Sequence, residues 1–170
     1  MRSFKLKIIN TGGTFNKVYD PLAGALVVAP DNSAVEAAVG SMRPGCEMEI
    51  AGLLYKDSLD MDDADRQELC EAVGRSEEER IVIVHGTDTI GKSAEAVDLF
   101  LKERHEKRVV LTGAMIPFSI DPVEATANLA SAVTAVRYLK PGVYIAMHGF
   151  VLPYQQIEKN RERGVFGPAE

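Results

Sequence analysis

The fold class is decided by the stretch RIVIVHGTDT, residues 80–89. A short run of β-branched residues that ends in a small polar turn is typical of a strand buried on both faces. The segment that follows, residues 91–104, carries Ala94, Val97 and Leu101 on one helical face. Together the two segments predict a strand, a turn and a helix.

The same unit recurs along the chain, with apolar strand-like runs alternating with helix-like segments. The predicted strands cover residues 6–10, 47–54, 80–84, 108–111 and 142–147. The predicted helices run from a cap at 31–33 to about residue 39, and over 62–73, 91–104 and 122–139. Residues 15–30 are interpreted as a loop or loose hairpin, and 148–170 as a tail with an apolar beginning. This alternation predicts a three-layer αβα fold with a mostly parallel sheet.

Three of the predicted strands end in small, polar, glycine-containing turns, at residues 11–14, 85–89 and 112–115. Ligands of an open parallel sheet bind beyond the carboxyl ends of its strands. The three turns are therefore expected to converge on one cleft.

The residues of these turns leave several chemical readings open. Gly12-Gly13-Thr14 offers close backbone approach and a hydroxyl, yet it also suits a tight turn with a solvated threonine. It matches neither the phosphate-binding loop nor the dinucleotide-binding fingerprint. In residues 85–89, Asp88 or Thr89 also suits the cap of the next helix. The acidic group 57–63 contains Ser58 and Asp60, whose spacing fits both a cleft and a helix cap.

The three histidines give weaker signals. His85 follows a buried strand and is interpreted as a core histidine rather than a base. His105 lies among Lys and Arg residues and resembles a solvated helix end, and the role of His148 stays open.

Composition excludes several classes of protein. The formal net charge of −6 argues against a nucleic-acid partner, because phosphates require a basic surface. The apolar runs are too short for a membrane span, and the N-terminus has no secretory pattern. Cys46 and Cys70 lie far apart, lack metal-ligand spacing and are interpreted as buried free thiols of a reducing compartment. A soluble, cytoplasmic protein is predicted.

Taken together, five segments resemble the bacterial-type L-asparaginase family in order and separation. They are Thr11-Gly12-Gly13-Thr14-Phe15, Ser58-Leu59-Asp60-Met61, Val84-His85-Gly86-Thr87-Asp88-Thr89, Leu111-Thr112-Gly113-Ala114-Met115-Ile116-Pro117, and Val151-Leu152 leading to Lys159-Asn160. The first and third are the two signature patterns of the family, and the resemblance covers nearly the whole chain.

The resemblance implies hydrolysis of L-asparagine to L-aspartate and ammonia without a cofactor or metal. It implies that Thr14 is the nucleophile and forms an acyl-enzyme, while Thr87, Asp88 and Lys159 assist proton transfer. Tyr19 matches the tyrosine that a flexible loop of the family brings over the nucleophile. Ser58 and Asp88 match groups that hold the α-carboxylate and α-ammonium of the substrate. The substrate-binding positions implied are Gly13, Ser58, Leu59, Gly86, Thr87 and Asp88.

The chain also departs from the family. Residues 1–170 are expected to form a single catalytic domain without the C-terminal domain that relatives carry, and Leu59 stands where many relatives have Gln. Self-association into a dimer or tetramer is expected, because a small domain leaves surfaces uncovered. Alternatives are a glutaminase or mixed activity, an ammonia-supplying component of an amidotransferase, and a non-catalytic amino-acid-binding domain.

Overall fold

The computed structural model describes residues 5–102 and 106–170, which contain ten strands, four α-helices and three short 3₁₀ turns. The strands are β1 (Lys5–Gly12), β2 (Lys17–Asp20), β3 (Ala25–Val28), β4 (Glu47–Lys56), β5 (Arg80–Val84), β6 (Arg108–Thr112), β7 (Gly142–Met147), β8 (Phe150–Pro153), β9 (Ile157–Asn160) and β10 (Val165–Pro168). The helices are α1 (Ser33–Met42), α2 (Asp63–Arg75), α3 (Ile90–Leu101) and α4 (Pro122–Ala135).

The main sheet has six strands in the order β4-β1-β5-β6-β7-β8. The first five run parallel to one another, and β8 pairs antiparallel with β7 at the edge. The predicted mostly parallel sheet is confirmed. The strands β4, β1, β5 and β6, which precede polar turns, are adjacent in this order and parallel, so their carboxyl ends lie at the same edge of the sheet.

Helices cover both faces of this sheet and complete the predicted three layers. On one face α2 and α3 pack through Leu69, Val73 and Val97 against the strands. On the other face α1 and α4 pack through Val35 and Leu129. Full burial of each such aliphatic side chain stabilises the fold by about 1.5–3 kcal/mol. The core therefore holds the carboxyl edge of the sheet in a fixed arrangement.

Two antiparallel hairpins extend from the carboxyl edge, β2–β3 and β9–β10. The first lies within the segment predicted as a loop or loose hairpin, and that prediction is confirmed. The second, with β8, lies in the segment described only as a tail. Its strands are four residues long and alternate weakly in polarity, which gave no periodic signal to recognise.

The helix ends differ slightly from prediction. Helix α4 ends at Ala135 instead of Leu139, because Arg137 and Tyr138 donate backbone hydrogen bonds three residues back and tighten the last turn. Helix α3 ends at Leu101, and the end predicted for it at residue 104 lies outside the described residues, as does His105. In the ranges 5–102 and 106–170, the helices lack the combination of length and apolar character needed to cross a bilayer.

Candidate active site

The predicted convergence of the strand-ending turns is observed. A Cβ atom on Gly13 would come within 2.4 Å of the Cα atom of Gly86, so the turns after β1 and β5 meet backbone to backbone. Gly13 has φ +72°, a conformation that side chains rarely adopt. The backbone N–H of His85 donates to the Thr112 carbonyl over 2.8 Å, which joins the turn after β6 to the same group.

The turn after β4 joins this group through Ser58. A Cβ atom on Gly86 would lie 2.6 Å from the Ser58 Cβ, so the two residues are in close contact. Ser58 is 1% exposed, and its carbonyl accepts a 2.9 Å hydrogen bond from the Thr89 hydroxyl. Its own Oγ accepts from the Thr89 N–H over 3.3 Å. Thr89 is the N-cap residue of α3, yet its side chain serves Ser58 instead of capping the helix.

Thr14 lies between two well-fixed neighbours. It begins a short 3₁₀ turn, with Gly13 packed on Gly86 and Phe15 fully buried against Phe118. The rings of Phe15 and Phe118 stack with centroids 6.0 Å apart. Within residues 5–102 and 106–170, no hydrogen bond engages the Thr14 hydroxyl. Thr14 is thus a half-buried residue whose two neighbours are packed in place and whose hydroxyl is available to a ligand.

The structure brings Thr87, Asp88 and Lys159 into one hydrogen-bonded group. The Lys159 Nζ donates to Thr87 Oγ1 and to Asp88 Oδ1, each over 2.9 Å. The Lys159 side chain is only 14% exposed. The hydrogen bond from Lys159 holds the pKa of the Asp88 carboxyl below its usual value, aided by the nearby Arg161. A threonine hydroxyl, a carboxylate and an ammonium are thus coupled beside the Gly86 turn.

Arg161 is a member of this group that sequence reasoning missed. Its guanidinium donates to the same Asp88 Oδ1 over 2.8 Å and is 67% exposed. No motif at residue 161 indicated this contact, because it depends on the return of the β9–β10 hairpin to α3. A cavity of ≈ 230 Å³ lies between the start of α3 and this hairpin. Its lining includes Thr87, Asp88, Ile157, Lys159, Arg161 and Phe166.

Tyr19 and Leu59 are not drawn into the group. Tyr19 lies on β2, is 64% exposed and has no hydrogen bond from its hydroxyl among the described residues. Leu59 is 69% exposed on the turn after β4 and presents an apolar surface. Asp57, whose Oδ1 accepts the Leu59 N–H, pairs through Oδ2 with the Lys17 Nζ over 2.7 Å.

The burial of His85 agrees with its interpretation as a core histidine. It is fully buried, and its Nδ1 lies 2.7 Å from the Gly86 carbonyl. Burial lowers its pKa to about 4, so the ring is neutral at neutral pH. Its Nε2 has no partner among the described atoms, which sequence reasoning did not foresee.

His148, left open by the sequence, connects three elements. Its Nε2 lies 2.8 Å from Glu124 Oε1, and its Nδ1 accepts the Phe166 N–H over 3.1 Å. Glu124 also accepts from the backbone N–H groups of Met115 and Ile116. This network links α4 and the turn after β6 to the β9–β10 hairpin that carries Lys159. Acids at the start of a helix are common, so nothing in the sequence distinguished Glu124 from a helix-terminal charge.

The described residues show no grouping of three or more His, Cys, Asp or Glu side chains that could hold a metal ion. Cys46 is half-buried, Cys70 is buried, and both are free thiols.

Comparison with known proteins agrees with the fold and the motifs. The L-asparaginase of Thermococcus kodakarensis is 28% identical over 163 residues, which are 95% of this chain and 49% of that protein. One component of the glutamyl-tRNA(Gln) amidotransferase of Archaeoglobus fulgidus is 31% identical over 147 residues, 85% of this chain and 34% of that protein. The solved structure of the thermostable Thermococcus kodakarensis enzyme superposes with a TM-score of 0.81 at 26% identity, covering 97% of this chain and 51% of that one.

The chain thus spans about half the length of that L-asparaginase relative. Residues 5–165 match the family described as "Asparaginase, N-terminal". Because this match takes in nearly the whole chain, the protein belongs to the asparaginase family.

Proposed function

We propose that the protein is an amidohydrolase that converts L-asparagine to L-aspartate and ammonia, with Thr14 as its nucleophile. The observation that carries this proposal is the Lys159–Thr87–Asp88 hydrogen-bonded group beside the Gly13–Gly86 contact, with a free threonine hydroxyl on the adjoining residue. Family membership supports the reaction class, and this geometry supports the residue roles.

In the first step the Thr14 Oγ attacks the side-chain amide carbon. The hydroxyl proton leaves through neighbouring polar groups and reaches the departing nitrogen, so that ammonia is released and an ester to Thr14 remains. A hydroxyl needs such assistance because it is a weak nucleophile at its ordinary pKa. Movement of the β2–β3 hairpin brings the Tyr19 hydroxyl to Thr14, where it forms a hydrogen bond with the nucleophile.

In the second step water attacks the ester carbon, and L-aspartate leaves as Thr14 recovers its proton. The Lys159–Thr87–Asp88 group serves both proton transfers, since its donors and acceptors are already aligned. The negative charge that develops on the carbonyl oxygen is stabilised by the backbone N–H of Thr87, since the N–H of Gly13 already donates to the Lys56 carbonyl over 2.9 Å.

Substrate binding uses the residues that surround this chemistry. Ser58, Gly86 and Asp88 meet the polar end of the substrate. Leu59 offers no polar group, so one contact is lost and a weak affinity is expected. One methylene separates asparagine from glutamine and discriminates by only about 1–3 kcal/mol, so glutaminase or mixed activity is the nearest alternative.

We also propose that the protein acts in the cytoplasm as a homo-oligomer. Several apolar side chains are exposed before and at the start of α4, namely Ile116, Ile120 and Val123. Contact with a second copy would remove this apolar surface from water. Light scattering at micromolar concentration should give a dimer or tetramer, and a monomer would contradict this part of the proposal.

The test of the reaction is ammonia release from L-asparagine, from L-glutamine and without substrate. Wild-type protein should release ammonia with asparagine, and Thr14→Ala should reduce the rate to background while its circular dichroism and unfolding midpoint stay unchanged. Thr11→Val is not a suitable control, because the Thr11 hydroxyl bonds the Val84 carbonyl inside the core. Thr134→Ala removes an exposed hydroxyl on α4 instead and should leave the rate unaltered.

A second candidate function is ammonia supply to a partner enzyme, which the Archaeoglobus fulgidus match favours. It predicts co-purification of a partner chain and glutamine turnover that rises in its presence. A non-catalytic amino-acid-binding role predicts calorimetric binding of asparagine with no ammonia above background. Ammonia release with and without a partner chain, together with calorimetry, therefore separates these candidates.

A further inference from the structure

Arg161 contacts Asp88, the carboxylate of the candidate site that a positively charged substrate group would bind. Asp88 Oδ1 accepts from both Lys159 and Arg161, at 2.9 and 2.8 Å. The carboxylate is therefore shared by two cations before any substrate arrives. Glu158, also at the cavity, is exposed and lies on β9 next to Lys159 in sequence.

The two cations differ in accessibility. Lys159 is 14% exposed and is held by Thr87 as well as by Asp88. Arg161 is 67% exposed and has Asp88 as its charged partner. A guanidinium stays protonated at any pH that the protein tolerates. Arg161 therefore presents a permanent positive charge to solvent beside Asp88, at the cavity between the start of α3 and the β9–β10 hairpin.

We propose that Arg161 determines specificity by disfavouring substrates with a free ammonium group and favouring amides that carry a carboxylate alone. This inference rests on the proposed amide hydrolysis. It predicts that monoamides of dicarboxylic acids and N-acylated asparagine are hydrolysed in preference to free asparagine. The guanidinium adds a second positive charge to the carboxylate that a substrate ammonium would bind.

The size of the effect follows from the exposure of the pair. Two like charges about 5 Å apart near water repel weakly, and exposed ion pairs contribute little. A change of about threefold to tenfold in relative kcat/KM is therefore expected, since a factor of ten corresponds to about 1.4 kcal/mol. An incoming ammonium also meets a carboxylate whose charge two cations already share.

The experiment compares three amides that differ at one position. L-Asparagine has a free ammonium, succinamate has hydrogen in its place, and N-acetyl-L-asparagine has a neutral amide there. Wild-type kcat/KM should be higher for succinamate and N-acetyl-L-asparagine than for asparagine. Arg161→Gln should raise the value for asparagine and lower the value for succinamate, which shifts their ratio by about threefold to tenfold.

Arg163→Gln is the matched control. Arg163 belongs to the same hairpin turn, and its substitution removes the same charge, but among the described contacts its side chain makes no hydrogen bond with Asp88. Arg163→Gln should leave the ratio of kcat/KM for succinamate to that for asparagine within about twofold of wild type. The reason is that salt screens an exposed charge that does not contact Asp88. An equal shift in both variants would assign the effect to net charge and overturn the role of Arg161.

Binding of the products gives a readout independent of turnover. By calorimetry, succinate should bind wild-type protein more tightly than L-aspartate, and Arg161→Gln should reverse or abolish this difference. A preference for L-aspartate, or a difference that Arg161→Gln leaves unchanged, would overturn the inference even if amides are hydrolysed. If no amide is hydrolysed but the binding preference depends on Arg161, the proposed hydrolysis fails and the ligand class stands.

Discussion

The two hairpins at the carboxyl edge of the sheet have the same backbone form but are anchored differently. In β2–β3 the pair Tyr19–Leu26 occupies the position that Lys159–Phe166 occupies in β9–β10. In each turn a glycine with φ near +63°, Gly24 or Gly164, donates its N–H to the carbonyl four residues before it. Each hairpin also follows a 3₁₀ turn.

The side chains, however, face different surroundings. Phe166 is 3% exposed in the core, and His148 accepts its backbone N–H. Leu26, its counterpart, is 43% exposed. The β2–β3 hairpin is tied mainly at its start, where Lys17 pairs with Asp57 and its carbonyl accepts from Ser119. The same hairpin form therefore holds one side chain in place, as at Lys159, and leaves another exposed, as at Tyr19.

The largest expected effect is on catalysis, where Lys159 and Tyr19, at equivalent positions of the two hairpins, should differ. Lys159→Met should lower kcat for ammonia release about 10²–10⁴-fold, because it removes an aligned proton-transfer group. Tyr19→Phe should cost about tenfold, the value of one hydrogen bond made only after the hairpin moves. Steady-state rates with asparagine give both values. Equal losses, or a loss in Lys159→Met below about threefold, would contradict the division of roles.

The next effect concerns the stability of the two anchors. Phe166→Ala should lower the free energy of unfolding by about 3–5 kcal/mol, since it leaves a cavity in the core. Leu26→Ala at the matched position should cost less than about 1 kcal/mol. Urea unfolding followed by circular dichroism measures the difference. Similar costs at the two positions would show that the first hairpin is anchored as firmly as the second.

Hydrogen exchange sharpens the same comparison without a substitution. Amide groups of β2 and β3 should exchange faster than those of β9 and β10, because segments with few buried apolar contacts open locally at low free energy. Mass spectrometry of peptides from 17–28 and 157–168 reports the two rates. If peptide 157–168 exchanged as fast as peptide 17–28, Lys159 would not be held in place before substrate binds.

The smallest expected effect is on acid stability. The Lys159 hydrogen bond lowers the pKa of Asp88 in the folded protein, so the bond stabilises the fold above the ordinary carboxyl pKa of 3.8. That contribution is lost as the pH falls below 3.8 through the folded pKa. Asp88→Asn should therefore lose less stability than wild type between about pH 5 and pH 3. Denaturant unfolding at several pH values tests this, and parallel curves for both proteins would refute it.

Much of this arrangement could be predicted from the sequence. Strands such as β5 are continuous β-branched runs, and the turns behind them carry glycines whose contacts need the absence of a side chain. The resemblance added Thr14, Thr87, Asp88 and Lys159, of which the last three meet in the structure.

The remaining features depend on contacts between distant segments. Arg161 reaches Asp88 only because β9–β10 returns to α3, and His148 contacts Phe166 only because β8 turns back along β7. Such pairings have no local periodicity, and residues in the four-residue strands of the hairpins do not differ from ordinary loop residues in type.

The proposed reaction requires an ester between the Thr14 hydroxyl and the acyl group of the substrate. The most direct measurement is rapid acid quenching of protein mixed with isotopically labelled asparagine, followed by peptide mapping. The predicted result is label on Thr14 in wild-type protein, with no label and no ammonia release in Thr14→Ala. Label on another residue, or ammonia released by Thr14→Ala at the wild-type rate, would contradict the account.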